Sequence, residues 1–581
     1  MNLFDELRRR KVFKVGGAYL VVAWLAVQAA SIAFPAFAAP SWVLRVFILV
    51  ALLGFPLVLV LAWAVDATHE GLRLDPAIAG TRRVVAGAAL LVLVAIGWFI
   101  HGQPAFRESD RTTALTSPPA APAAPASAPA VDPHSIAVLP FVDMSQDKDQ
   151  EYFSDGLSEE LLNLLAQLPQ LRVIARTSSF SFKGRDVDVG TIARALHVAN
   201  VLEGSVRKSG NTLRITAQLI RASDSTHLWS QTYDRELTDV FKVQDEIAGA
   251  VVSALKVQLL PDQAMTNTHR SDDAEAYNQF LLGNELLKRD DEVGWRGAID
   301  AFHQAIAHDG GFAAAYAGLA NAECSLADRL GDQAQMAQAV TDATKAIKLA
   351  PDLADGYSSR AIARLSYQRD WAGGAADLEK SLALSPGDSD VHVNYARLMI
   401  ALGRTPEALA STRRSVELDP LSSVSWSQLG RILNFVGKYQ EAKQALDRSL
   451  DFSPTCDTCL FHRGMTELLQ GRAAESVAYF RKAAGGYGGA GVAMAEHTLG
   501  HARESQQALD AEIAGFSQGA AYQIAEVYAW RGERDKAFQW LDRAYVQNDG
   551  GLTFIKMDPL LTPIADDPRF AALLKKLGLP K

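Results

Sequence analysis

The first hundred residues consist of long apolar runs separated by short charged segments. Residues 15–38, 43–65 and 84–100 each lack charge, apart from Arg45 near the start of the second run. A helix needs about 20 apolar residues to cross a bilayer, and a signal-peptide core is shorter than the first run. The pattern therefore predicts three transmembrane helices. Two alternatives stay open: signal cleavage after Ala38, and buried helices of a soluble domain.

Farther along the chain, the pattern changes to short apolar strands and amphipathic helices. Strands are predicted at 135–141, 171–175, 201–207, 213–220 and 227–233, and helices at 157–168, 189–196 and 240–259. The turn residues at 208–211 predict a hairpin between two of the strands. This order of elements predicts a small α/β domain with a mixed sheet and helices on one side.

The rest of the chain repeats a helical pattern with a period of about 34 residues. Prolines stand at intervals of 35, 34 and 34 residues: Pro351, Pro386, Pro420 and Pro454. Small residues such as Gly430 and Ala442 let two helices approach closely, and large ones fill the space between hairpins: Trp426, Tyr439 and Leu446. We expect about eight hairpins over residues 273–546 in an all-α superhelix, with the tail 551–581 as a cap.

Three segments resemble known families. Residues 421–454 (LSSVSWSQLGRILNFVGKYQEAKQALDRSLDFSP) resemble the tetratricopeptide repeat family. The run that begins SIAVLPF and ends HLWSQTYDRE resembles the FlgO-like and TolB amino-terminal-like domains. The amino-terminal sequence FDELRRRKVFKVGGAYLVVAWLAVQ resembles a membrane anchor of bacterial multidomain regulators. That last resemblance implies a Gram-negative inner membrane.

These patterns together predict a multidomain chain of four segments. They are a three-span anchor at 1–101, a Pro/Ala-rich linker at 102–134, an α/β domain at 135–261 and a repeat array at 262–581. Basic residues are concentrated before the first predicted span and between the second and third spans, and such residues favour the cytoplasmic side. We therefore expect a multi-pass inner-membrane protein with a cytoplasmic amino terminus and most of its chain in the periplasm.

Composition and motifs argue against several function classes. The net charge of −9 does not favour a nucleic-acid surface. The sequence contains no P-loop, HExxH, GxSxG or strand-associated GxGxxG motif, so we predict no enzyme, no catalytic residues and no cofactor. In related architectures the anchor follows a nucleotide cyclase or a DNA-binding domain. The predicted cytoplasmic segments here, 1–14 and 66–83, are too short for either.

Cys456 and Cys459 form a CxxC motif with three interpretations. They are a closed disulfide or simply two small residues, or a redox-active pair at a helix amino terminus, or part of a metal site with His462. A metal site would need a further ligand that the sequence does not offer, so we predict no metal site.

Polar residues of the first helices that packing does not require are candidates for partner binding. The first helix of each repeat lines the inner, concave face of such a superhelix. On this basis we predict five binding residues: Asn394, Arg397, Gln428, Arg431 and Asn434. The predicted function is a non-catalytic, inner-membrane-anchored scaffold whose periplasmic repeats bind a protein or peptide. The alternative is a sensor or regulator that relays a periplasmic signal through a separate membrane partner.

Overall fold

The computed structural model describes residues 131–145, 151–209, 212–236, 240–257, 270–289 and 291–579, with parts of 19–28 and 65–74. The chain divides into two units, Met1–Pro125 and Ala126–Lys581. In the first unit, strand β1 (Val65–Thr68) pairs antiparallel with strand β2 (Gly71–Leu74). The second unit contains the α/β domain and the helical repeats.

The prediction of three membrane-spanning helices is contradicted. Among the residues that the structure describes, no helix combines the length and the apolar character that a bilayer crossing requires. The same finding overturns the predicted multi-pass inner-membrane localisation. Most residues of the predicted spans lie outside the described ranges, but Val65, the last residue of the second one, belongs to a β-strand. An apolar run indicates that a segment avoids water without specifying what covers it.

The α/β domain is built on a mixed sheet, as the sequence pattern predicts, but the sheet has six strands where five were expected. Its strands are β3 (Ser135–Val138), β4 (Val142–Asp143), β5 (Arg172–Val173), β6 (Asn200–Ser209), β7 (Thr212–Arg221) and β8 (Thr226–Glu236). The order is β5-β3-β6-β7-β8, with β4 beside β6. Strand β3 runs parallel to β5 and β6, whereas β6, β7 and β8 form an antiparallel meander.

Helices cover both faces of this sheet rather than the single face that we expected. They are α1 (Glu151–Ala166), α2 (Arg176–Phe180), α3 (Val189–Leu196) and α4 (Val240–Ala254). Ile136 and Leu202 point into a core with α1 and α4, whereas Ala137 and Val201 point into a core with α3. The central strands β3 and β6 are therefore apolar at consecutive positions, because both of their faces are buried.

Eight helical hairpins follow between Ala274 and Gln547, in agreement with the repeat period. The first four are α5 (Ala274–Leu287) with α6 (Glu292–His308), α7 (Ala313–Leu330) with α8 (Gln333–Leu349), α9 (Ala354–Ala363) with α10 (Trp371–Leu384), and α11 (Ser389–Leu402) with α12 (Thr405–Leu418). The others are α13 (Ser423–Phe435) with α14 (Tyr439–Phe452), α15 (Asp457–Leu469) with α16 (Ala473–Phe480), α17 (Gly485–Thr498) with α18 (Ala502–Phe516), and α19 (Ala521–Trp530) with α20 (Arg534–Gln547).

Glycines set the geometry of these hairpins at two kinds of position. Gly403, Gly437 and Gly471 follow first helices with φ angles of +78°, +73° and +77°, a left-handed conformation that glycine adopts without strain. Within helix α13, a Cβ atom on Gly430 would lie 2.4 Å from Cγ of Leu446 on α14. The close approach of the two helices therefore requires glycine at position 430.

The contacts of the α/β domain with the array include one at the first hairpin and one at the turn between α12 and α13. Near the first hairpin, helix α1 packs against α5, and a Cβ atom on Gly156 would lie 2.6 Å from Leu281 Cδ2. At the turn between α12 and α13, the Ser178 amide and hydroxyl both donate to Asp419 Oδ1, the amide at 3.0 Å. The Ala175 amide also donates to the Leu418 carbonyl at 2.7 Å. The domain therefore bridges the first hairpin and the middle of the array.

Candidate partner-binding face of the repeats

The first helices of neighbouring hairpins form the inner layer of the array. Helices α11, α13, α15, α17 and α19 pack in succession against one another, whereas each second helix lies on the outer side of its own hairpin. All five predicted binding residues lie on two of these inner helices, α11 and α13. The inner layer is therefore where the predicted binding residues have to be assessed.

The five residues differ in how far solvent reaches them. Arg397 is exposed and Asn394 is half-buried, both on α11. On α13, Arg431 is half-buried and Gln428 is buried. Asn434 is fully buried, and it donates through Nδ2 to the His462 carbonyl at 2.9 Å on the next inner helix, α15. These placements leave Arg397 and Asn394 as the two residues that a partner reaches without rearrangement of the core.

The C-terminal segment, residues 549–579, covers the inner face around α13. It consists of two short 3-10 turns, Gly550–Phe554 and Pro559–Ile564, and helix α21 (Pro568–Lys576). The Arg431 guanidinium carbon lies 4.0 Å from the centroid of the Phe554 ring, and the rings of Phe435 and Phe554 are 5.9 Å apart. The predicted cap thus lies across the inner layer as well as at the end of the stack.

The C-terminal segment is packed into the hydrophobic core of the array. It buries eleven large apolar side chains: Leu552, Phe554, Ile555, Leu560, Leu561, Ile564, Phe570, Leu573, Leu574, Leu577 and Leu579. The segment is therefore part of the folded core, and a partner has to use the inner surface beside it.

The far end of this segment also meets the middle of the array. The Trp371 indole Nε1 donates to the Leu577 carbonyl at 2.7 Å, which connects α10 to the end of the chain. Arg369 lies with its guanidinium carbon 4.4 Å from the Tyr545 ring centroid, and its Nη2 donates to the Tyr545 carbonyl at 3.2 Å. The third hairpin and the last one are thereby joined directly.

The CxxC motif lies at the amino terminus of α15. Cys456 and Cys459 form a disulfide bond, with their Cα atoms 5.3 Å apart. His462 lies one turn farther along, where burial and the nearby Arg431 lower its pKa well below the ordinary value. No group of three metal-ligating side chains occurs in the part of the chain that the structure describes.

Comparisons with known families place tetratricopeptide repeats in the C-terminal region. Two tetratricopeptide repeat models match, at residues 365–429 and 424–456. A third family model, described as HilA/YgeH-like transcriptional regulator, second domain, matches residues 132–250. The matched range contains the mixed sheet. The resemblance of this region to FlgO-like and TolB amino-terminal-like domains stays an expectation.

Known proteins give partial matches. Putative adenylate cyclase 3 from Rhizobium meliloti (strain 1021) is 40% identical over 207 residues, which cover 36% of this chain and 34% of that protein. YrrB, a solved tetratricopeptide repeat protein with an unusual peptide-binding site, has a TM-score of 0.26 at 18% identity and covers 36% of this chain and 99% of its own. A thermophilic tetratricopeptide repeat protein from Thermus thermophilus has a TM-score of 0.29 at 17% identity. The match covers 33% of this chain and 99% of that protein. The chain thus carries tetratricopeptide repeats after a domain similar to part of a regulator family.

Proposed function

We propose that this chain is a non-catalytic scaffold whose tetratricopeptide repeats hold a protein or peptide partner. The observation that carries the proposal is the array of eight hairpins, in which the inner helices α11, α13, α15, α17 and α19 form a continuous layer. Stacks of this kind present an extended inner surface, and a bound segment contacts several repeats at once. The exposed side chain of Arg397 and the half-buried Asn394 are the predicted contacts on that surface.

A photo-crosslinking residue tests where the partner binds. The full chain would carry the crosslinker at Asn394 on the inner face or at Lys443 on the outer helix α14, whose side chain is 43% exposed. We expect one protein to be enriched at position 394 and not at position 443, and the same protein to be lost when Arg397→Ala is added. Equal enrichment at both positions, or none at 394, would contradict an inner binding face.

The name of the Rhizobium meliloti protein makes cyclase activity the obvious alternative. The match covers about a third of that protein, so its activity does not transfer to this chain on that ground. The full chain incubated with ATP and a divalent cation should form no cyclic AMP. Formation of cyclic AMP that scales with the amount of protein would replace the scaffold proposal with an enzyme.

A regulator is the second candidate, and the match of residues 132–250 to a transcriptional-regulator domain favours it. The contacts between the α/β domain and the array would let a bound partner alter the position of that domain. In a deletion strain we expect altered transcription that the intact chain restores and a chain with Asp419→Ala restores less well. An unchanged transcript profile in the deletion strain would favour the scaffold alone.

A further inference from the structure

Four side chains with hydrogen-bond donors lie on three adjacent inner helices. Arg397 belongs to α11, Gln428 and Arg431 to α13, and His462 to α15. We call these four residues the donor cluster. Arg431 Nη2 donates to Gln428 Oε1, so the glutamine amide nitrogen is free for another acceptor. The cluster lies on the concave side, next to the Phe554 ring.

Three atoms of the donor cluster are buried and have no hydrogen-bond partner among the described residues. They are Gln428 Nε2, Arg431 Nε and His462 Nδ1. The side chains of Gln428 and His462 are themselves only 4% and 7% exposed. A buried donor without a partner costs about 1–3 kcal/mol, so native structures rarely keep several of them together. Their convergence indicates a site built for an acceptor.

The two arginines add positive charge that no carboxylate neutralises by direct contact. Among the described residues neither Arg397 nor Arg431 forms an ion pair with an acidic group. Burial, and then the neighbouring Arg397, lower the pKa of Arg431 to about 9. The surrounding protein lowers the pKa of Arg397 as well, although its side chain keeps contact with solvent. Two like charges at close range are stabilised by an anion placed between them.

Asp558 acts on Arg431 as a charge, and Glu526 is hydrogen-bonded to Asp558; burial raises the pKa of both carboxyl groups. Asp558 of the C-terminal segment accepts a hydrogen bond from Tyr522 Oη at 2.9 Å and another from the Leu560 amide at 2.9 Å. Asp328 on α7 acts on Arg397 only as a distant charge. The uncharged ring of Tyr487 borders the two arginines from α17. The balance of charge at the cluster therefore stays positive.

We infer that the donor cluster is a binding site for a small oxyanion, a carboxylate or phosphate group. A guanidinium group presents parallel N–H donors that match the two oxygens of either group. Gln428 Nε2 supplies a neutral donor that fixes the orientation of the anion, and His462 supplies a second one in its Nδ1–H tautomer. The exposed side of Arg397 gives the ligand a route from solvent. The inference does not require the protein partner proposed above, because all four donors belong to this chain.

Calorimetric titration of the full chain tests the inference, with inorganic phosphate and succinate as separate probes. We expect saturable binding of at least one probe, and the preferred probe distinguishes phosphate from carboxylate ligands. Arg397→Gln should weaken that binding about tenfold or more, because a charge-assisted bidentate hydrogen bond is lost. Arg413→Gln is the matched control, since Arg413 lies exposed on the outer helix α12 and pairs with Glu441 at 2.9 Å.

Thermal unfolding shows whether Arg397→Gln is folded, so that a loss of binding is not mistaken for a loss of structure. Without a probe, Arg397→Gln should melt at or above the temperature of the unchanged chain, because the substitution removes repulsion from Arg431. The favoured probe should then raise the melting temperature of the unchanged chain and of Arg413→Gln but not that of Arg397→Gln. The inference is overturned if neither probe binds at millimolar concentration, or if Arg397→Gln binds as tightly as the control.

Discussion

At the scale of single residues, Gly430 sets the distance between two helices of the fifth hairpin. A methyl group there would meet the Leu446 side chain, which is fully buried. We expect Gly430→Ala to lower the free energy of unfolding by about 1–3 kcal/mol, because an overpacked core forces neighbouring side chains to shift. Urea titration followed by circular dichroism measures the change.

Gly515 provides the control for that substitution. It lies in helix α18, and a Cβ atom added there would meet no atom within 4 Å. Gly515→Ala should therefore raise the free energy of unfolding by about 0.5–1 kcal/mol through helix propensity alone. Opposite signs for the two substitutions would support the assigned register, and the same sign would argue against it.

The buried carboxyl group of Glu323 makes the free energy of unfolding depend on pH. Burial and the neighbouring Asp342 raise its pKa from 4.5 to about 8. Between these pH values the folded chain keeps a proton that the unfolded chain releases, so this residue lowers stability as the pH rises from about 4.5 to about 8. We expect Glu323→Gln to raise the free energy of unfolding at pH 8 by a few kcal/mol, on the order of 1.4 kcal/mol for each unit of pKa shift.

The effect of Glu323→Gln on stability is measured at two pH values and compared with the same substitution at an exposed glutamate. At pH 4 the Glu323→Gln chain and the unchanged chain should unfold at the same urea concentration, because the carboxyl group is then protonated in both folded and unfolded states. Glu504→Gln, at an exposed position on α18, should change little at either pH. A benefit of Glu323→Gln that is as large at pH 4 as at pH 8 would exclude titration as the cause.

At the scale of elements, the repeat period predicted the hairpins but not the path of the C-terminal segment. Small residues such as Gly430 and Ala442 recur at fixed positions because every hairpin has the same contact with its neighbour. The contact of Phe554 with Arg431 joins positions more than a hundred residues apart, and it occurs only once. No local period encodes such a contact, so the burial of Gln428 and Arg431 beneath the segment could not be predicted from the sequence.

Phe554 tests whether this segment belongs to the core. We expect Phe554→Ala to cost about 3–5 kcal/mol of unfolding free energy, since the ring is buried against Phe435 and Arg431. Phe516→Ala is the matched control, because Phe516 on α18 is 42% exposed. Chemical denaturation of both variants gives the comparison. Equal losses at the two positions would mean that the segment contributes little to the fold.

At the scale of the whole second unit, the contact between Ser178 and Asp419 connects the α/β domain to the array. Burial raises the pKa of Asp419, while hydrogen bonds from Ser178 oppose that effect. Ser178→Ala and Asp419→Ala should each destabilise the chain, and the double variant should lose less than the sum, by about 0.5–3 kcal/mol. Strict additivity would mean that the contact carries no energy of its own.

The wrong prediction of three membrane-spanning helices also concerns the molecule as a whole. The apolar runs at 15–38, 43–65 and 84–100 are plain in the sequence, but a run of apolar residues reports only that the segment prefers to leave water. The mixed sheet was predictable because alternation along β7 and the hairpin turn before it are local features. The position of α3 on the opposite face of the sheet was not predicted, because the apolar side of that helix does not specify which face of the sheet it covers.

The hydrogen bond from Trp371 to the Leu577 carbonyl changes how this array should come apart. An open stack of repeats can fray from either end, and each hairpin then melts with its own midpoint. Here the end of helix α21 is hydrogen-bonded to the third hairpin. The hairpins from α9 to α20 therefore have no free end on the carboxyl side. Unfolding of any one of these hairpins interrupts the closed set of contacts on which the others depend. These six hairpins should therefore melt as one cooperative block.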